Sequence, residues 1–141
     1  MQPLSIILWL AIVVGTGAAL AALYGRYKVL PAFLTGPAVC QLEEGGCLVL
    51  FRTKEASLLG PPNALLGVLL YLFLVSGLIG GWPEPLLIAA ATAGLAMSVY
   101  LARYLIRNHL QCRICWVGHI SNAVIWLILV SRLVLPGAAP P

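Results

Sequence analysis

Residues 4–24 read LSIILWLAIVVGTGAALAALY, a run without charge whose main interruptions are the small residues Ser5, Gly15, Thr16 and Gly17. A helix needs about 20 mainly apolar residues to cross the hydrocarbon core of a bilayer, and small residues within it let neighbouring backbones approach closely. The run therefore predicts a membrane-spanning helix. A cleaved export signal is the competing reading, because Ala19, Leu20 and Ala21 look like a small-residue cleavage site. Such signals carry positive charge ahead of a shorter apolar run, whereas Arg26 and Lys28 follow this one. Composition points the same way, with 62% hydrophobic residues, 9% charged residues and a mean hydropathy of +1.03. Soluble domains carry roughly 25% charged residues.

Three further spans follow from the same rule, at about 63–80, 85–106 and 115–135. Pro61-Pro62 leads into the second, a placement where proline's missing N–H leaves no bond unmade, and Gly80-Gly81-Trp82-Pro83 ends it. The expected architecture is an all-α membrane protein. It is a four-helix bundle forming one domain over residues 1–141, with a long first connection of roughly Gly25 to Leu59. Glu55 to Leu59 within that connection is expected as a short helix lying at the membrane interface. Trp9, Trp82, Trp116 and Trp126, mostly near span ends, read as interfacial anchors.

Successive spans alternate direction, so the first and third connections emerge on one membrane face. Both cysteine pairs meet there. Cys40 and Cys47 flank the turn-forming Glu43-Glu44-Gly45-Gly46, while Cys112 and Cys115 form Cys-Arg-Ile-Cys at the entry to the fourth helix. At such a helix start the unpaired N–H groups and the helix dipole favour a thiolate, and Arg113 adds positive charge. Disulfide exchange proceeds by thiolate attack through a mixed disulfide, so one pair can pass electrons to the other. Two other readings stay open: a tetrahedral four-cysteine zinc site in a structural or assembly protein, and two inert disulfide staples.

Cys115, His119 and Asn122 stand at i, i+4 and i+7, which places them on one helical stripe running from the thiol into the bilayer. Polar groups inside a span usually face a bundle interior or a ligand cavity. Asn63, opening the second helix, should lie at a similar depth. Together these groups suit an apolar molecule with carbonyl oxygens, which describes a membrane quinone; the alternative is that His119 and Asn122 only bond across helices. A transporter would need polar or charged groups through the midplane, and no acid lies inside a span.

In order along nearly the whole chain, Cys40 and Cys47, then Ser57 with Asn63-Ala64-Leu65-Leu66-Gly67, then Ser98-Val99-Tyr100-Leu101, then Cys112-Arg113-Ile114-Cys115 resemble the vitamin K epoxide reductase family in its prokaryotic form. That resemblance implies a four-helix bundle around a quinone such as menaquinone or ubiquinone. Electrons from a separate thioredoxin-like or protein disulfide oxidoreductase carrier would then pass through the loop cysteines to the C-x-x-C pair. Cys40 would meet the carrier, Cys47 would bond transiently to Cys112, and Cys115 would stand next to the quinone. Asn63 matches the family's quinone-contacting asparagine and Ser57 a loop serine near the site. His119 falls where animal members carry a tyrosine.

The net charge of +4 is not a nucleic-acid footprint, since that needs a basic stripe on a water-exposed face. Arg26, Lys28, Arg52, Lys54, Arg103, Arg107 and Arg113 lie on the cysteine side, and Arg132 lies near the other. The positive-inside rule then places the cysteines on the cytoplasmic face of the cell membrane, an inverted topology. Family resemblance points instead to the extracytoplasmic face. Cytoplasmic disulfide formation has a known setting in the intracellular proteins of hyperthermophiles.

Overall fold

The computed structural model describes residues 3–28, 30–31, 33, 50–110 and 112–135. Cys40 and Cys47 lie outside the described residues. The chain forms helices α1 (Pro3–Tyr27), α2 (Asn63–Gly80), α3 (Glu84–Arg107) and α4 (Arg113–Val134), with a 3-10 turn at Lys54–Ser57. All four helices are long and apolar enough to cross a membrane. At about 1.5 Å per residue, the 24 residues of α3 extend roughly 36 Å, past a hydrocarbon core of about 30 Å.

Local chemistry sets the helix ends. Pro62 precedes α2 with φ −57° and ψ 134°. Gly81 ends it in the left-handed region at φ 64°, and its N–H reaches the Gly77 carbonyl, a conformation that glycine adopts without steric strain. Pro85 occupies the first turn of α3, where helices tolerate it best. The fourth helix begins at Arg113, two residues before the apolar run suggests, because Cys112 caps it: its Sγ accepts the Cys115 backbone N–H at 3.4 Å. A thiol fills the position that serine or aspartate usually takes.

The helices close into a ring. α1 packs on α2 and α4, and α3 packs on the same two; the α1–α4 seam is the most extensive and the α2–α3 seam the least. Arg132, near the end of α4, donates to Ser5 Oγ at the start of α1 over 2.8 Å, so these two run antiparallel. In the half of the bundle away from the C-x-x-C turn, Leu8, Ile12, Leu74, Leu87, Ile125 and Leu129 form a closed core. Outward residues such as Val13 and Ile79, 65% and 75% exposed, belong to a belt that would be a liability in water and matches hydrocarbon.

Two expectations shift. Trp126 is no end anchor: it lies in the middle of α4, and its indole N–H donates to Thr92 Oγ1 over 2.9 Å, tying α4 to α3 on the exposed side of their seam. The short helix expected at Glu55–Leu59 forms one residue earlier as the 3-10 turn, which contacts α2. Arg26 holds the preceding chain by donating to the Phe51 carbonyl over 3.0 Å. Leu30, Leu50, Phe51, Leu105, Cys112 and Ile114 then pack into a second, smaller cluster at the cysteine end.

Candidate functional site

Between that cluster and the closed core lies a cavity of about 370 Å³, walled by all four helices and roofed by part of the 50–59 segment. Small residues make the room: Ala18, Ala22, Gly67, Ala93, Gly94 and Gly118 contribute wall but little side chain. Pockets for small molecules are mostly apolar with a few placed polar groups, and this one has that character. Its polar groups are Cys115, His119 and Asn122 from α4, Asn63 and Tyr71 from α2, Ser98 and Tyr104 from α3, Arg26 from α1 and Glu55 from the roof.

Cys115, His119 and Asn122 thus face one space, on successive turns of α4. Cys115 is a half-buried free thiol. Cys112, 1% exposed, is packed in the cluster beside it. His119 Nε2 is buried and finds no hydrogen-bond partner among the described residues. An unmet buried polar atom costs about 1–3 kcal/mol, so a ligand oxygen in the cavity would relieve a real penalty there. The ring meets Trp116 edge-on at 6.2 Å between centroids.

Asn122 lies deeper and is held on both sides. The Tyr71 hydroxyl donates to its Oδ1 over 2.7 Å, and its Nδ2 donates to Ser98 Oγ over 2.7 Å. Tyr71 and Ser98 are 3% and 5% exposed. The two hydroxyls hold the amide between them, each able to donate or accept, and either way one amide N–H is left to spare. Gly15 makes the arrangement possible, since a Cβ there would fall 2.5 Å from the Tyr71 hydroxyl. Three helices therefore meet at a polar floor that separates the cavity from the closed core.

Asn63 acts at the roof. Its Nδ2 donates to the Glu55 carbonyl over 2.6 Å, and its Oδ1 accepts the Leu58 N–H over 3.3 Å, so the side chain pins the 3-10 turn to the start of α2. Ser57 is off the wall, next to the lining residue Ala56. Its Oγ is buried without a partner among the described residues. The Tyr104 hydroxyl stands beside the Glu55 carboxylate at the mouth. Tyr71 and Ser98 as holders of Asn122 were missed from sequence, and the available signal was chemical: an amide buried in a span needs partners, and Tyr71 is a hydroxyl in the middle of a helix whose other polar side chains, Asn63 and Ser76, lie nearer its ends.

A model of the vitamin K epoxide reductase family matches residues 6–130 of the 141-residue chain. Neither the curated proteins nor the solved structures give a match to it.

Proposed function

Because the chain belongs to the vitamin K epoxide reductase family and is on that ground a membrane thiol–disulfide oxidoreductase linked to quinones, we propose that it oxidises a soluble dithiol carrier and so promotes protein disulfide formation. One observation carries this reading. A C-x-x-C thiol, a histidine nitrogen without a hydrogen-bond partner among the described residues and an amide held on both sides line a single apolar cavity inside a membrane bundle. Such a wall fits a quinone ring, with His119 Nε2, in the tautomer that bears its proton there, and the spare Asn122 N–H as donors to carbonyl oxygens. When bound, a quinone takes two electrons and two protons and leaves as the quinol.

The protein's own part is sulfur exchange. A thioredoxin-like carrier thiolate attacks the Cys40–Cys47 disulfide, and completion of that exchange releases the carrier as a disulfide. The Cys47 thiolate then attacks Cys112 in a Cys112–Cys115 disulfide, and Cys115 leaves as a thiolate facing the cavity. Attack of Cys40 on Cys47 frees Cys112 and regenerates the loop disulfide. Each exchange passes through a mixed disulfide. The helix start at Cys112 supports this role, because the Cys115 N–H already points at the Cys112 sulfur and favours negative charge there. Asn63 and Ser57 act through the roof, Asn63 by holding it closed over the ring.

On the charge distribution, the relay faces the cytoplasm. The test of function is turnover by purified protein in neutral lipid, with dithiothreitol as donor and a short-chain quinone as acceptor. Cys115→Ala is expected to abolish quinol formation, and retained turnover would refute the assignment. Stoichiometric zinc without turnover would favour the zinc-held structural protein instead.

A further inference from the structure

We infer that the cysteine end of the bundle is a docking surface for a protein partner with an acidic rim around its dithiol. The inference rests on the proposed function, which requires a soluble donor at that end, and adds what the donor looks like. Lys28, Arg52, Lys54, Arg103, Arg107 and Arg113 are all exposed and all lie at this end. Glu55 is the acid that the described residues place beside them, and it faces Tyr104. Even with Glu43 and Glu44 on the same connection, basic residues outnumber acids there by more than two to one. The far end differs: Glu84 stands there with Arg132, which is 6% exposed and bonded to Ser5.

Position separates a docking role from simple anchoring in lipid. Cations anchoring a span sit at the perimeter, where they reach headgroup phosphates. Arg113 instead lies inside the Cys-Arg-Ile-Cys turn. Arg52 and Lys54 belong to the segment that roofs a cavity enclosed by all four helices, over the bundle rather than around it. A partner bringing sulfur to sulfur must cover these three charges. Acidic groups on the partner make that approach favourable, and like-signed ones make it costly.

Steering of this kind raises association rates by roughly 10 to 10³ at low salt and fades as the Debye length falls from about 10 Å at 0.1 M to about 3 Å at 1 M. The experiment compares three donors of quinone reduction in phosphatidylcholine vesicles: dithiothreitol, a Cys-x-x-Cys peptide flanked by glutamates, and the same peptide flanked by lysines. In each case the donor becomes a disulfide as quinone becomes quinol. At low salt the acidic peptide is expected to exceed the basic one at least tenfold in kcat/KM, an advantage that collapses near 1 M salt. The double variant Lys28→Gln/Arg107→Gln, at two exposed residues outside the cavity wall and its roof, should shrink the preference while leaving dithiothreitol turnover unchanged. Equal use of both peptides overturns the inference and leaves the charges as a topology signal. A response to added anionic lipid without peptide preference overturns it in favour of headgroup binding. Failure of dithiothreitol itself refutes the functional reading, and the docking inference with it.

Discussion

Replacing Tyr71 by Phe removes one hydroxyl from the bundle and tests whether the cavity floor is built or incidental. The hydroxyl gives Asn122 Oδ1 a 2.7 Å hydrogen bond at a residue that is 3% exposed, so no water replaces it freely. Interhelical hydrogen bonds in membranes average about 0.6 kcal/mol and reach about 1.7; a loss of about 1 kcal/mol in stability is expected. Function should suffer through a different quantity. Without Tyr71 the Asn122 amide is no longer fixed and presents its spare N–H to the cavity only part of the time. A net hydrogen bond of about 0.5–1.5 kcal/mol then translates into a rise in quinone KM of roughly 2- to 13-fold, with little change in kcat. Ser98→Ala, which removes the acceptor on the other side of the same amide, should act in the same direction. The double variant should fall short of the sum, because both changes release one group. The assays are thermal unfolding in detergent and steady-state quinone reduction. Unaltered stability and unaltered quinone KM in both single variants would refute the reasoning.

Three further outcomes are expected. His119→Phe deletes a buried nitrogen that has no partner among the described residues, so stability should hold or rise while quinone KM increases several-fold; a clear drop in stability would mean that the ring is packing glue. Asn63→Ala cuts both bonds that pin the roof, at about 1–2 kcal/mol, and should slow turnover with every dithiol donor, as read by steady-state rates and protease nicking near residue 57. For orientation, a chain with Cys40 as its remaining cysteine should react with a membrane-impermeant maleimide in inside-out vesicles and not in intact cells. Labelling of intact cells would place the site outside the cytoplasm.

Spans were legible because their signal is length and apolarity: Leu4–Tyr24 announces itself, and Pro62, Gly81 and Pro85 mark ends by backbone chemistry. The i, i+4, i+7 stripe of Cys115, His119 and Asn122 was legible for the same reason, since helical period alone puts them together. Which face of α2 and α3 meets that stripe was not. α2 has leucines and isoleucine on both sides, with Leu72 and Ile79 toward lipid and Leu74 toward the core, and α3 mixes alanine and glycine with scattered hydroxyls, so neither marks its inner face clearly. Tyr71 and Ser98 consequently read as isolated hydroxyls until packing brought them to Asn122. The roles of Gly15 and Asn63 also needed tertiary structure, one as clearance for a neighbour's hydroxyl and the other as a clasp on a short turn.

On the proposed function, electrons held by the cysteines reach a quinone within this chain. Fully reduced protein, freed of reductant and kept anaerobic, should be mixed with a short-chain quinone while quinol and remaining thiols are counted. The two cysteine pairs predict two quinols formed and four thiols lost per chain, with no quinol from Cys115→Ala. Thiols that stay reduced in the presence of excess quinone would contradict the account.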